Sequence, residues 1–178
     1  MEQLFYYIPA LEDVRDFMEL GGGVLIVIAA LLLVMWGLIF ERFIYLRGWH
    51  KQMVKQAISA WEDRSERNSW HAHQVRELLI SQVNQQLERN MPLIKTCVAL
   101  SPLLGLLGTV TGMIQVFEVM AISGSGNARS MAAGVSKATI PTMAGMVAAL
   151  SGVAMHTWLS RKVSYEQEQL AEHMTFDH

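Results

Sequence analysis

The chain has 178 residues, of which 52% are hydrophobic and 17% charged, and its net charge is −2. A water-soluble domain carries charge on roughly a quarter of its residues, so the composition excludes an ordinary soluble globule. The near-neutral balance also excludes the concentrated basic surface that nucleic acid binding requires.

In chain order, residues 1–20 carry Glu2, Glu12, Asp13, Asp16 and Glu19 against a lone Arg15. A secretory signal opens with basic residues ahead of a short apolar core, and this acidic opening has the wrong shape for one. Gly21 to Phe40 is then a run of 20 residues without a charge. At about 1.5 Å per residue such a run crosses roughly 30 Å of hydrocarbon, and it is expected to be the first membrane helix.

Residues 41–95 are polar and read as helical extensions of the spans. Leu79, Val83 and Leu87 recur at four-residue spacing beside charged and amide residues, which gives one apolar stripe. Asp63 to Ser69 (DRSERNS) is the expected bend between two such helices. Thr96 to Phe117 forms a second uncharged stretch between Lys95 and Glu118. Residues 118–137 contain the Gly/Ser-rich string ISGSGNAR and read as a loop. Ala138 to Ser160 is the third uncharged stretch, bounded by Lys137 and Arg161. Residues 161–178 form an acidic tail with Glu166, Glu168, Glu172 and Asp177, expected to continue the third helix before fraying. The fold class that follows is all-α, a membrane protein with three spans and long helices extending from them.

Flanking charge sets the expected direction. The segment 41–95 holds nine Lys and Arg, whereas residues 119–136 hold only Arg129 and the N-terminal segment only Arg15. By the positive-inside rule the N-terminus faces outward, residues 41–95 face the cytoplasm, and the C-terminus follows Arg161 and Lys162 inward. In a Gram-negative cell the bilayer is then the inner membrane, and the outer side is the periplasm.

Two helix faces stand out. Pro102, Gly105, Thr109, Gly112 and Val116 recur at steps of three and four on the second span, and Thr142, Gly145, Ala149, Gly152 and His156 do so on the third. Small residues allow close approach of another helix, and Gly108-x-x-x-Gly112 is a known form of that packing. Packing alone accounts for these faces as well as a transport role does. The hydroxyls of Thr109 and Thr142 are weak evidence for a water path, because membrane-helix hydroxyls often bond back to their own backbone.

Ionisable residues inside a bilayer usually mark function. Lys95, Glu118 and Lys137 fall at span ends, where they can snorkel, and His156 near the end of the third span reads as an interfacial anchor or a relay. No Asp or Glu interrupts any of the three apolar runs. A proton carried across this membrane on a carboxylate therefore needs that carboxylate from a partner. The sole cysteine, Cys97, sits in an apolar run and reads as a small buried side chain. His71 and His73 lack metal-ligand companions, and neither His-Glu-x-x-His nor Gly-x-Ser-x-Gly occurs, so no enzyme, metal or cofactor is read.

SPLLGLLGTVTGMIQVF resembles the second-span signature of the MotA/TolQ/ExbB proton-channel family, GVSKATIPTMAGMVAALSG its third-span pattern, and ERFIYLR its first-span exit. The compact cytoplasmic segment is most similar to ExbB-type subunits of TonB-dependent transport systems. The resemblance implies a homo-oligomeric ring, five copies in the family, around single-span helices of an ExbD-like partner whose membrane Asp carries the proton. It places the family's pore threonines on Thr109 and Thr142, with Gly105, Gly112, Gly145 and Ala149 on the same pathway and Lys137, His156 and Glu118 as modulators or relays. Work would pass to a TonB-like protein for outer-membrane uptake of the iron-siderophore or haem class. A TolQ-type role in envelope integrity and a non-conducting membrane scaffold are the alternatives. Two departures bear on the outer part of the path. Lys137 stands where relatives commonly carry Glu, and Pro141 precedes Thr142, where it is expected to loosen the helix by removing a backbone bond.

Overall fold

The computed structural model describes residues 9–63, 69–123 and 128–173. Residues 1–8 of the N-terminal segment, the middle of the DRSERNS bend, residues 124–127 of the Gly/Ser-rich loop and the tail residue Asp177 lie outside the described residues. Among the described residues the order is α1 (Pro9–Ile44), a π-helical turn (Tyr45–Trp49), α2 (His50–Glu62), α3 (Trp70–Glu88), α4 (Met91–Ser123) and α5 (Ala128–His173). The fold is all-α, and three helices are long and apolar enough to cross a membrane.

The helices run past the apolar stretches that announce them. α1 already begins at Pro9, α4 continues to Ser123 and α5 starts at Ala128. The segment read as a loop over 118–137 is thus helical through most of its length, because backbone hydrogen bonding does not stop where apolar composition does. α5 also passes through Pro141 as one helix of 46 residues, and α4 through Pro102. The expected loosening at Pro141 is accordingly no break in the helix. Its ring is buried in a contact described below.

Among the described residues, two with positive φ interrupt the helices. Gly22 (φ 65°, ψ −163°) divides α1 into two helical pieces. A Cβ there would meet no atom within 4 Å, so conformation rather than space calls for glycine. Asn90 (φ 64°) lies between α3 and α4. It adopts the left-handed conformation common just after a helix, and its carbonyl accepts from the Ile94 N–H in the first turn of α4. Its side chain donates to Glu41 Oε2 at 2.6 Å.

The described residues fall into two compact units. One comprises α1 up to Met35 together with Thr96–Gly152 of α4 and α5. Leu25, Ile28 and Met35 of α1 are buried in it, while Leu33, Val147 and Leu150 are among many large apolar residues left exposed. Only 22–28% of the apolar windows of the three candidate spans is buried within the chain, so most of that surface must meet lipid or other subunits.

The other unit comprises Trp36–Lys95 and α5 from Val153 onward. Its core joins Ile39 and Leu46 to Ala57, Trp61, Val83, Leu87, Leu159, Val163 and Leu170. Val83 and Leu87 of the expected stripe are buried, and Leu79 is half-buried. Ser69 caps α3 by accepting from the Ala72 N–H at 3.3 Å. Arg42, 2% exposed, is the one cation among the buried residues described. Its guanidinium donates to the Gln86 carbonyl at 2.9 Å and to Glu41 at 3.1 Å, and stacks 5.0 Å over the Tyr45 ring. Both terminal nitrogens of the head are paired, as burying a cation requires, while its buried Nε has no hydrogen-bond partner.

Candidate functional site

Within the first unit, α4 and α5 meet along an antiparallel seam of small residues. A Cβ on Gly145 would lie 2.5 Å from the Ser101 carbonyl oxygen, and one on Gly105 would lie 2.9 Å from Thr142 Cα. Further along, Gly108 faces Pro141, Gly112 faces Ala138 and Gly134 faces Val116. Each glycine removes the one side-chain atom that would hold the two backbones apart, and the register descends on α5 as it rises on α4. Gly152 serves the same purpose toward α1, where its missing Cβ leaves room for Met35 and Val98.

That close approach lets a side chain reach across. The Thr142 hydroxyl donates to the Gly105 carbonyl at 3.0 Å. Ser101, 1% exposed, donates within its own helix to the Cys97 carbonyl at 2.9 Å. Thr109 likewise donates to its own helix, at the Leu106 carbonyl, at 2.7 Å. Both threonines thus commit their single proton to a backbone carbonyl. What either can still offer a visiting group is oxygen lone pairs, which accept from a proton donor.

The structure brings Gly105, Thr142 and Gly145 together and places Gly112 on the same seam against Ala138. Thr109 does not join them. It sits half-buried on α4 in a shallow apolar groove with Val110, Met113, Ile114 and Phe117. Ala149 is half-buried, and Glu118 is exposed. Lys137 is exposed and lines a recess with Gly22, Gln115 and Pro141. His156 belongs to the other unit, half-buried at a recess with Lys95, Ser160 and Ser164. Beside it, Gln167 donates to Glu88 at 2.9 Å.

Ser101, Gly108, Gly134, Ala138 and Pro141 are seam residues that the shared-face reading left out. The spacing 101, 105, 108, 112 of small residues carries that signal in the sequence, one step round the helix from the face through Thr109. Cys97 is buried, as its neighbours suggested. No group of three or more His, Cys, Asp or Glu able to hold a metal occurs among the described residues.

A multi-pass helical membrane protein with a hydroxyl-bearing, glycine-lined helix seam is the class these features define. Residues 46–172 match the model of the MotA/TolQ/ExbB proton channel family, and the chain belongs to that family. Over 88 residues it is 40% identical to the putative biopolymer transport protein ExbB-like 1 of Synechocystis, covering 48% of this chain and 34% of that protein. Over 82 residues it is 37% identical to the Tol-Pal system protein TolQ of Haemophilus influenzae, covering 45% and 35% of the two chains. Over 83 residues it is 29% identical to the biopolymer transport protein ExbB of Aquifex aeolicus, covering 47% and 56%. The aligned part therefore spans between a third and somewhat over half of these relatives' own length. The family is one of membrane channel and transport subunits, not an enzyme class.

Proposed function

We propose that the chain is an ExbB-type channel subunit that uses proton-motive force together with a single-span, ExbD-like partner. Copies of the chain assemble as a ring, five on the family pattern, in the bacterial inner membrane. The N-terminus is periplasmic and the C-terminus cytoplasmic, in keeping with the Lys and Arg excess of residues 41–95. The partner's membrane Asp is the proton carrier, because the apolar runs of this chain contain no carboxylate of their own. Work passes onward through a TonB-like protein to outer-membrane uptake of the iron-siderophore or haem class.

The observation that carries this reading is the state of the two threonine hydroxyls. With their protons held by Gly105 and Leu106, Thr142 and Thr109 present acceptors only. An acceptor of this kind, Thr142 at the seam or Thr109 in its groove on α4, favours a neighbouring carboxylic acid in its protonated, donating form over its carboxylate. The acid would then travel neutral past the apolar stretch and ionise beyond it. Gly105, Gly112 and Gly145 let α4 and α5 close on one another beside that path, with Ala149 on the same span. Lys137, exposed at the start of the third apolar run, replaces an acid by a base and disfavours a second proton carrier there. Glu118 and His156 are modulators rather than carriers.

The test is energised uptake in cells that depend on this chain. Thr142→Ser should retain uptake, and Thr142→Val should lose most of it while still co-purifying with the partner. Full uptake by Thr142→Val would remove the hydroxyl from the mechanism. A TolQ-type role in envelope integrity is favoured by the match to the Haemophilus influenzae protein. It separates from the first reading by phenotype, since the same variant would then cause detergent sensitivity with uptake intact.

A further inference from the structure

The second unit contains a buried ionisable group that the proton path does not use. His50 follows directly on the π-helical turn, and its N–H donates to the Tyr45 carbonyl that the turn exposes. It continues the buried series Ile39, Arg42, Leu46 along the same strip. The side chain is 1% exposed, yet neither ring nitrogen has a hydrogen-bond partner. Buried imidazole nitrogens are ordinarily satisfied, so an orphaned pair calls for an explanation.

The surroundings supply one. Nε2 lies 3.4 Å from Glu166 Oε2 on α5, close enough for a charge pair but not aligned as a hydrogen bond. The other carboxylate oxygen of Glu166 is held by Lys162 at 3.2 Å. From the α1 side comes the Tyr45 ring at 6.4 Å, itself under the Arg42 guanidinium, and among the described residues α3 sets no charge against the imidazole. The ring thus faces one acid whose charge is already shared with Lys162, and a cation one ring away.

We propose that His50, wedged against Glu166, is an acid-sensitive latch that holds the π-turn and α2 on α5 in neutral surroundings and releases them as protons accumulate. Burial pushes the His50 imidazole below its ordinary value of 6.5, Glu166 pulls it partly back, and Lys162 adds to the lowering. The folded state therefore binds a proton less readily than the unfolded one. The stability of this packing is full above pH 6.5 and is lost as pH falls through 6.5 toward the lower folded value. A π-turn is a natural place for such a device, since its irregular bonding already marks a weak point in a long helix. The latch itself needs no conduction. Its use as a brake, loosening the bundle when protons arrive faster than they are cleared, rests on the channel reading above.

The full chain in detergent micelles, labelled with ¹³C at histidine, gives the direct test. The His50 resonance, assigned by its loss in His50→Gln, should titrate below 6.5. Thermal midpoints taken between pH 7.5 and 5.5 should fall for the wild type, and at least half of that fall should vanish in His50→Gln. Glu166→Gln should steepen it, because the pairing carboxylate is gone. A His50 titration at or above 6.5, or parallel pH profiles for wild type and His50→Gln, would overturn the latch. If His50→Gln fails to fold, the other five histidines are assigned by single substitutions to Gln and His50 by elimination, and the wild-type titration decides alone. Neither readout depends on proton flux, so a failed latch and a failed channel reading remain distinguishable.

Discussion

At the Thr142 hydroxyl, the proposed transport role and plain helix packing lead to different expectations. Replacing it by the near-isosteric Val removes the bond to the Gly105 carbonyl, for which the expected stability loss is about 0.5–1.5 kcal/mol. Assembly should survive that loss, and proton-driven work should not. A Thr142→Val variant whose partner complex falls apart in detergent would instead assign the hydroxyl to structure. Sequence pattern placed both threonines on glycine-bearing faces but could not say where their protons go. Thr109 turns to its own helix and Thr142 crosses to the neighbour, a difference set by the register between α4 and α5. His50 was illegible for a related reason. A histidine between Trp49 and Lys51 in a polar segment reads as surface, and only the packing of α5 over the π-turn buries it.

Helices depend on where the chain allows close approach and where it forces a break. Gly145→Ala should lower the thermal midpoint of the purified protein more than Gly37→Ala, because a Cβ at 145 meets the Ser101 carbonyl at 2.5 Å while one at 37 meets nothing within 4 Å. Equal midpoints would show that the seam is looser than drawn. Gly22 and Gly23 offer a second comparison, since both have open space around them and Gly22 alone has a positive φ. Gly22→Ala should cost about 1–3 kcal/mol, because its backbone region is open almost only to glycine, whereas Gly23→Ala, inside the helix, should be neutral or mildly stabilising by thermal denaturation. Three uncharged runs made the spans plain from the sequence. The ends of the helices were not, since polar residues continue a helix as readily as they end one. The break at Asn90 was signalled only by Arg89-Asn90-Met91-Pro92, where an asparagine precedes a proline that suits the first turn of a helix.

The whole molecule leaves most of its span surface unburied, which fits a subunit better than a finished machine. Orientation is accessible by labelling. Single cysteines at Ser69 and Ser130 in a Cys97→Ser background should react with a membrane-impermeant maleimide from opposite sides, with position 130 reached from outside intact cells. Labelling of position 69 from outside would reverse the topology. The expected direction rests on the charge flanks alone, whereas the proposed ring and partner acid lie beyond any single chain.

If these helices supply hydroxyl acceptors and no acid, conduction requires a neighbour's carboxylate. Proton flux into liposomes under an imposed potential tests it most directly, with the chain alone, with its single-span partner, and with the partner's membrane Asp changed to Asn. Flux should appear only with the intact partner. Equal flux from the chain alone, or with the Asn partner, would show that no partner carboxylate is needed.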